Sequence, residues 1–228
     1  MKKDISILRI VILVTLSFLV IEIIIGVFSA LFDLPETITM NFIIDLFSAF
    51  IYIWILHYAA KGFWGENIFN SFNNNIGTLK TFSLGLLAIG FIIAIEYITK
   101  PIANKLPKLE IFDEIYSEMF QVPKNTYELI LLFLSTTIIT AIVEELFFRG
   151  FLYKALRKKY NIYISILILS IIFFLFHLNP QMLIFVAVTN IILCLAFEYG
   201  KSLSLPVFIH TGINAITLVL FLSNKLKS

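Results

Sequence analysis

Hydrophobic and polar positions along this chain alternate in long blocks, not in short periods. Seven apolar blocks run Ile7–Leu31, Met40–Ala60, Leu79–Thr99, Tyr127–Tyr153, Ile162–Leu178, Met182–Tyr199 and Leu203–Leu222. Most of them reach or approach the roughly 20 residues that a helix needs to cross a bilayer. Such blocks predict an all-α, polytopic transmembrane helix bundle of about seven spans. The fifth is short at its far end, where Asn179-Pro180 breaks it. Lys61–Lys80 reads as a polar loop with a turn signal at Asn73-Asn74-Asn75. Lys100–Asn125 is the longest connection and contains Pro101, Pro107 and Pro123. Within it Ile111, Phe112, Ile115 and Met119 keep helical spacing beside Asp113, Glu114 and Glu118. That pattern predicts an amphipathic helix at the membrane interface, or else a solvated loop helix. With no internal repeat, the chain reads as one integral membrane domain, 1–228. N-terminal spans and the interfacial loop occupy 1–126, and a motif-bearing core occupies 127–222.

Composition sharpens this picture. The chain is 60% hydrophobic and 14% charged, against roughly 45–50% and about 25% for soluble domains. So much apolar surface needs membrane lipid as its solvent. The net charge of +2, with no basic arm and no zinc-finger spacing, excludes nucleic acid as a partner. Cys194, the one cysteine, excludes a disulfide within the chain and reads as a small buried hydrophobe. Met1–Asp4 followed by an apolar run imitates a signal peptide. The run from Ile5 to Leu31 is too long for one, and no small-residue cleavage pattern follows, so a first span is expected instead. Seven spans put the basic groups Lys2, Lys3 and Arg9 on the same side as Lys154, Arg157, Lys158 and Lys159, which makes that side cytoplasmic. Asp33 and Glu36 then lie outside, and so, against the rule, do Lys225 and Lys227. Usage rich in Ile, Phe, Asn and Lys points to an AT-rich bacterial genome. The expectation is a bacterial plasma-membrane protein with its N-terminus in the cytoplasm.

Ionisable groups inside spans cost a few kcal/mol each, so each is a functional hypothesis. Glu144 and Glu145 lead the sequence Glu144-Glu145-Leu146-Phe147-Phe148-Arg149-Gly150, well inside the fourth block. Glu145 and Arg149 are four residues apart and can pair on one helix face. Glu144 is rotated about 100° from Glu145, so pairing occupies Glu145 and leaves Glu144 pointing elsewhere. His177 lies four residues after Phe173 in the fifth block. If the fourth and fifth blocks form an antiparallel hairpin about Tyr160-Asn161, Glu144 and His177 each stand about 25 Å from the turn, at 1.5 Å per residue. A carboxylate and an imidazole at equal depth can hold one water between them, as a general base requires. His210 and Asn214 share a face of the last block. Both can donate hydrogen bonds to a developing oxyanion. Each element alone also has an ordinary structural explanation: a charge cluster locking helices, a satisfied core histidine, interhelical hydrogen bonding. Pro206 is ordinary helix-start chemistry. Glu22, Asp45 and Glu96 have no obvious partners, His57 lies near the end of its block, and Asn190 reads as a link between helices.

Taken together, Glu144-Glu145-x-x-x-Arg149, Phe173-x-x-x-His177 and His210-x-x-x-Asn214 resemble the motif set of the CAAX prenyl protease and bacteriocin-processing (Abi) family. The resemblance covers about Tyr127–Leu222, and no motif marks the first three spans. It implies an intramembrane endopeptidase in which Glu144 activates water with His177 as its partner. His210 and Asn214 would stabilise the oxyanion, and Glu145, Arg149 and Phe173 would support the site. No cofactor is expected. The alternative is zinc held by Glu144, His177 and His210, although a His-Glu-x-x-His pair is missing and Asn214 suits hydrogen bonding better than zinc. The substrate class implied is a membrane-bound peptide or protein, such as a bacteriocin or signalling-peptide precursor. Two other functions compete: a non-catalytic immunity or peptide-binding membrane protein, and a proton-coupled transporter.

Overall fold

A computed structural model describes residues 7–35, 37–73, 75–107, 121–177 and 179–225. The chain folds as a polytopic helical bundle. Its helices are α1 (Ile7–Leu31), α2 (Ile38–Trp64), α3 (Thr78–Ala103), α4 (Thr126–Arg157), α5 (Ile162–His177), α6 (Leu183–Gly200) and α7 (Ser204–Lys225). All but α5 are long and apolar enough to cross a membrane, α6 being counted with the short turn Pro180–Met182 that leads into it. The 16 residues of α5 are the short fifth block. Asn179 ends it, its side chain accepting the Gln181 N–H at 3.0 Å. The amphipathic helix expected around residues 111–119 lies outside the described residues.

Caps extend α2 beyond its apolar block at both ends. Thr37 accepts the Met40 N–H at the start of α2, and Gly65, at φ +69°, closes its end. Only a residue without Cβ takes that left-handed conformation at no cost. The α2–α3 connection is docked instead of solvated. Its short turn Ile68–Phe72 buries Ile68. Its carbonyls accept the Leu203 N–H at Ser71 (2.6 Å) and the Ser204 hydroxyl at Phe72 (3.0 Å). Asn75, from the predicted turn, donates to Gly200 O at 3.3 Å. This connection therefore holds the turn between α6 and α7.

The bundle has two distinct faces. One gathers the C-terminal end of α2 and the basic cluster: Lys158 lies 4.5 Å over the Trp64 ring, and Lys154 donates to Ser71 Oγ at 2.7 Å. The opposite face gathers the first turns of α2 and α4 with the last turns of α7, through Ile38, Leu131, Leu132 and Leu218. The centre is the second half of α4, where Leu146, Phe147, Phe148, Phe151 and Leu152 are buried against α2, α5 and α6. A second cluster joins Ile89 and Ile92 of α3 to Leu193 of α6 and Ile209 and Ile213 of α7. Outward-facing Ile23, Leu87 and Leu167 are exposed, as lipid contact requires.

Because lipid tails are as apolar as leucine, helices in a bilayer associate through close packing. Here α3 and α7 interlock through a reciprocal pair of glycines. Gly85 receives the Phe208 ring, and Gly212, one turn along α7, receives Ile89, one turn along α3. A Cβ on Gly85 would stand 2.6 Å from Phe208 Cε1. Gly85→Ala should therefore destabilise the protein by about 1–3 kcal/mol, the usual cost of overpacking. Phe208→Leu in the same chain should recover most of the loss. Thermal unfolding in detergent measures both, and an unchanged midpoint for Gly85→Ala would rule out the interlock.

Candidate active site

Helix α4 is not regular. Its π-helical stretches Leu134–Ile139 and Leu146–Tyr153 flank a short α segment, Thr140–Glu145. Such π turns concentrate at functional sites. The first coincides with a hydroxyl run. Thr136, Thr137 and Thr140 return their hydroxyls to Leu132 O, Phe133 O and Ser135 O, contacts that compete with the regular backbone ladder. The Thr140 N–H bonds Ser135 O, one residue further back than in an α-helix. The carbonyl this would leave, that of Thr136, accepts Asn214 Nδ2 at 3.3 Å. The irregularity thus ties the middle of α7 to α4.

One turn away sits a buried polar network. Glu145 and Arg149 are both fully buried and pair at 2.9 Å, on the face that four-residue spacing predicts. Glu145 Oε1 also accepts Nδ1–H of His210 at 2.8 Å. Arg149 Nη2 donates to Asn190 Oδ1 at 2.7 Å, and Asn190 Nδ2 donates to Ser170 Oγ at 2.7 Å. The guanidinium carbon lies 5.1 Å over the Phe173 ring. The network joins α4, α5, α6 and α7. Asn190 does link helices, as expected, through the arginine.

Glu144 stands apart from this pair, as the 100° rotation requires. Its side chain keeps 31% exposure, and its Oε2 lies 3.7 Å from His210 Nε2, beyond hydrogen-bond reach. That oxygen has no hydrogen-bond partner among the described residues. His210 is therefore held between two carboxylates, with Nδ1 anchored on Glu145 and Nε2 turned to Glu144. His177, half-buried at the end of α5, donates Nδ1–H to Phe173 O at 2.9 Å, which leaves its Nε2 as an acceptor. The α4–α5 register comes from Phe148 packed edge-on against Phe173 at 4.7 Å. One turn from Phe148 is Glu144, and one turn from Phe173 is His177.

The structure brings Glu144, Glu145, Arg149 and His210 together, with Phe173 behind the arginine and His177 on the adjoining helix. Asn214 departs from the simplest expectation. One of its two amide hydrogens is engaged by Thr136 O, and only the other remains for a substrate. Sequence reasoning also set aside a participant: Asp45 has a partner, accepting the Ser135 hydroxyl. Ser170 and the hydroxyl run went unnoticed, although hydroxyls clustered in a span were a usable signal. Among the described residues no three His, Cys, Asp or Glu side chains group so as to hold a metal ion.

These features define a class: an integral membrane helical bundle with a carboxylate–imidazole site inside it. Residues 126–216 match the family described as type II CAAX prenyl endopeptidase, Rce1-like. That segment carries all three motifs, and through it the chain is similar to a family of CAAX prenyl endopeptidases. No curated protein matches the chain, and neither does any solved structure.

The buried pair has a measurable consequence. Arg149→Met leaves Glu145 charged and without its counter-ion, which typically costs about 3–5 kcal/mol. Glu145→Gln in the same chain should recover part of that. Thermal unfolding of the two variants should place the single below the double; the reverse order would show that Glu145 and Arg149 do not depend on each other.

Proposed function

We propose that this protein hydrolyses a peptide bond in a membrane-associated peptide or protein with water activated by Glu144, without a metal. The observation that carries the reading is the different treatment of two adjacent glutamates. Glu145 is enclosed and holds both Arg149 and His210 through Oε1, while the Glu144 side chain is partly exposed and stands 3.7 Å from His210 without a hydrogen bond to it. A committed carboxylate positions; an uncommitted one can accept a proton.

In the proposed reaction Glu144 takes a proton from a water that also donates to His177 Nε2. The resulting hydroxide attacks the scissile carbonyl. The second amide hydrogen of Asn214 and Nε2–H of His210 bind the developing oxyanion. Since Nδ1–H of His210 is given to Glu145, Nε2 donates only when the ring carries both protons. Collapse of the intermediate breaks the C–N bond, and Glu144 returns its proton to the leaving amine. Loss of one oxyanion donor typically costs about 10²–10³ in rate. The substrate is proposed to be a membrane-bound peptide precursor, such as a bacteriocin or signalling peptide, in a bacterial plasma membrane with the N-terminus cytoplasmic.

Glu144→Gln removes the base at nearly constant volume, and its partial exposure should leave folding intact. Membranes from cells making wild type should contain new peptide ends that are missing with Glu144→Gln at equal expression. His177→Ala and Asn214→Ala should each slow the appearance of those ends by at least about tenfold. Equal peptide ends with wild type and a folded Glu144→Gln protein would exclude the mechanism. A phenotype that survives in Glu144→Gln, with no difference in peptide ends, would favour the peptide-binding or immunity role.

A further inference from the structure

A hydrolase buried in lipid consumes one water for each bond cut and needs a route that supplies it. We infer that water reaches Glu144 from the face opposite the basic cluster, along a polar groove between α4 and α7 whose mouth is a cleft at Asp45. The inference rests on the hydrolytic reading for its purpose, but on separate residues for its geometry.

The mouth lies between the first turns of α2 and the first half of α4. Asn41, Asp45, Gln121, Ser135 and Thr136 supply its polar lining, together with apolar side chains such as Ile38, around a volume of about 30 Å³. That is room for a water with several polar partners. Asp45 lies seven residues into α2, about 10 Å from its start at 1.5 Å per residue. A carboxylate at such depth is costly unless it serves a polar neighbour or a water-filled space. This one is exposed and accepts the Ser135 hydroxyl.

From the cleft, a polar stripe continues down α4 through Thr136, Thr140 and Glu144, four residues apart and all half-buried. A matching pair on α7, Asn214 and His210, runs beside it. The two stripes meet at two rungs: Asn214 on the Thr136 carbonyl, and His210 against Glu144. Thr136 to Glu144 spans about 12 Å at most. In the other direction the site is sealed. Leu146, Phe147, Phe148, Phe151 and Leu152 of α4, with Leu203 behind them, are at most 2% exposed. A packed apolar layer gives a water no partners. The site is therefore wet toward one face only.

Sided thiol labelling tests this without any substrate. In full-length Cys194→Ala protein, single cysteines are placed at Asn41, Thr136 and Thr140 along the groove, at Phe47 on the lipid side of α2, and at Leu152 in the sealed layer. In oriented vesicles of neutral phospholipid, silver ion, about as small as a water and reactive with thiolate only where water is present, is added to one side. Thiols still free are counted with a maleimide after denaturation. Asn41→Cys, Thr136→Cys and Thr140→Cys should be blocked from the face carrying the start of α2. Phe47→Cys and Leu152→Cys should react at least about tenfold more slowly, since only a hydrated thiol ionises readily. Adding Asp45→Leu should slow Thr136→Cys and Thr140→Cys and spare Asn41→Cys. If both inner cysteines resist silver from that face, or are blocked only from the basic face, the groove is not the water route. Labelling does not depend on cleavage, so loss of the protease reading and loss of the groove give different results.

Discussion

A carboxylate and a guanidinium face each other at the middle of this bundle with no exposed surface on either, and the rest of the fold is arranged around them. Charges in such surroundings are tolerated only when paired and hydrogen-bonded. Glu145 Oε1 and both terminal nitrogens of Arg149 meet that condition with help from three other helices, while Glu145 Oε2 and Arg149 Nε have no partner among the described residues. His210 comes from α7, Asn190 from α6, and the Phe173 ring from α5. Each of those side chains reaches the pair only if its helix sits at one depth and one rotation. The network therefore favours one arrangement of helices in a solvent where apolar packing alone discriminates weakly.

Local geometry follows from the same pair. Once Glu145 is directed inward, helical rotation turns its neighbour Glu144 onto an adjacent face, where its side chain stays partly exposed. The imidazole of His210 is shared between the two environments, with one nitrogen on the enclosed carboxylate and one toward the open one. His177 uses a similar device, anchoring Nδ1 on the carbonyl one turn back. In both rings one bond through Nδ1 sets the orientation of the imidazole.

The helices without motifs have identifiable tasks in this frame. Helix α3 interlocks with α7 through Gly85 and Gly212, and so sets the height of His210 and Asn214. Helix α2 places Asp45 against Ser135 and packs Tyr52 on Phe18 of α1, which in turn meets Phe147. The α2–α3 connection docks beneath the turn that begins α7. Packing is apolar and continuous toward the basic face, and polar groups are strung out toward the other.

The helical bundle was legible in the sequence, because apolar blocks of spanning length have no other stable form in lipid. The pairing of Glu145 with Arg149 and the freedom of Glu144 were equally legible, because both follow from 100° of rotation per residue along one helix. Other features depend on which helices become neighbours, and no local spacing carries that information. Asp45 looked isolated because its partner is 90 residues away, and Asn214 looked free because Thr136 lies 78 residues earlier. The π turns of α4 shift its hydrogen bonds by one residue, a displacement that periodicity does not reveal. Local geometry thus determined which groups could act, and long-range packing decided what each of them touches.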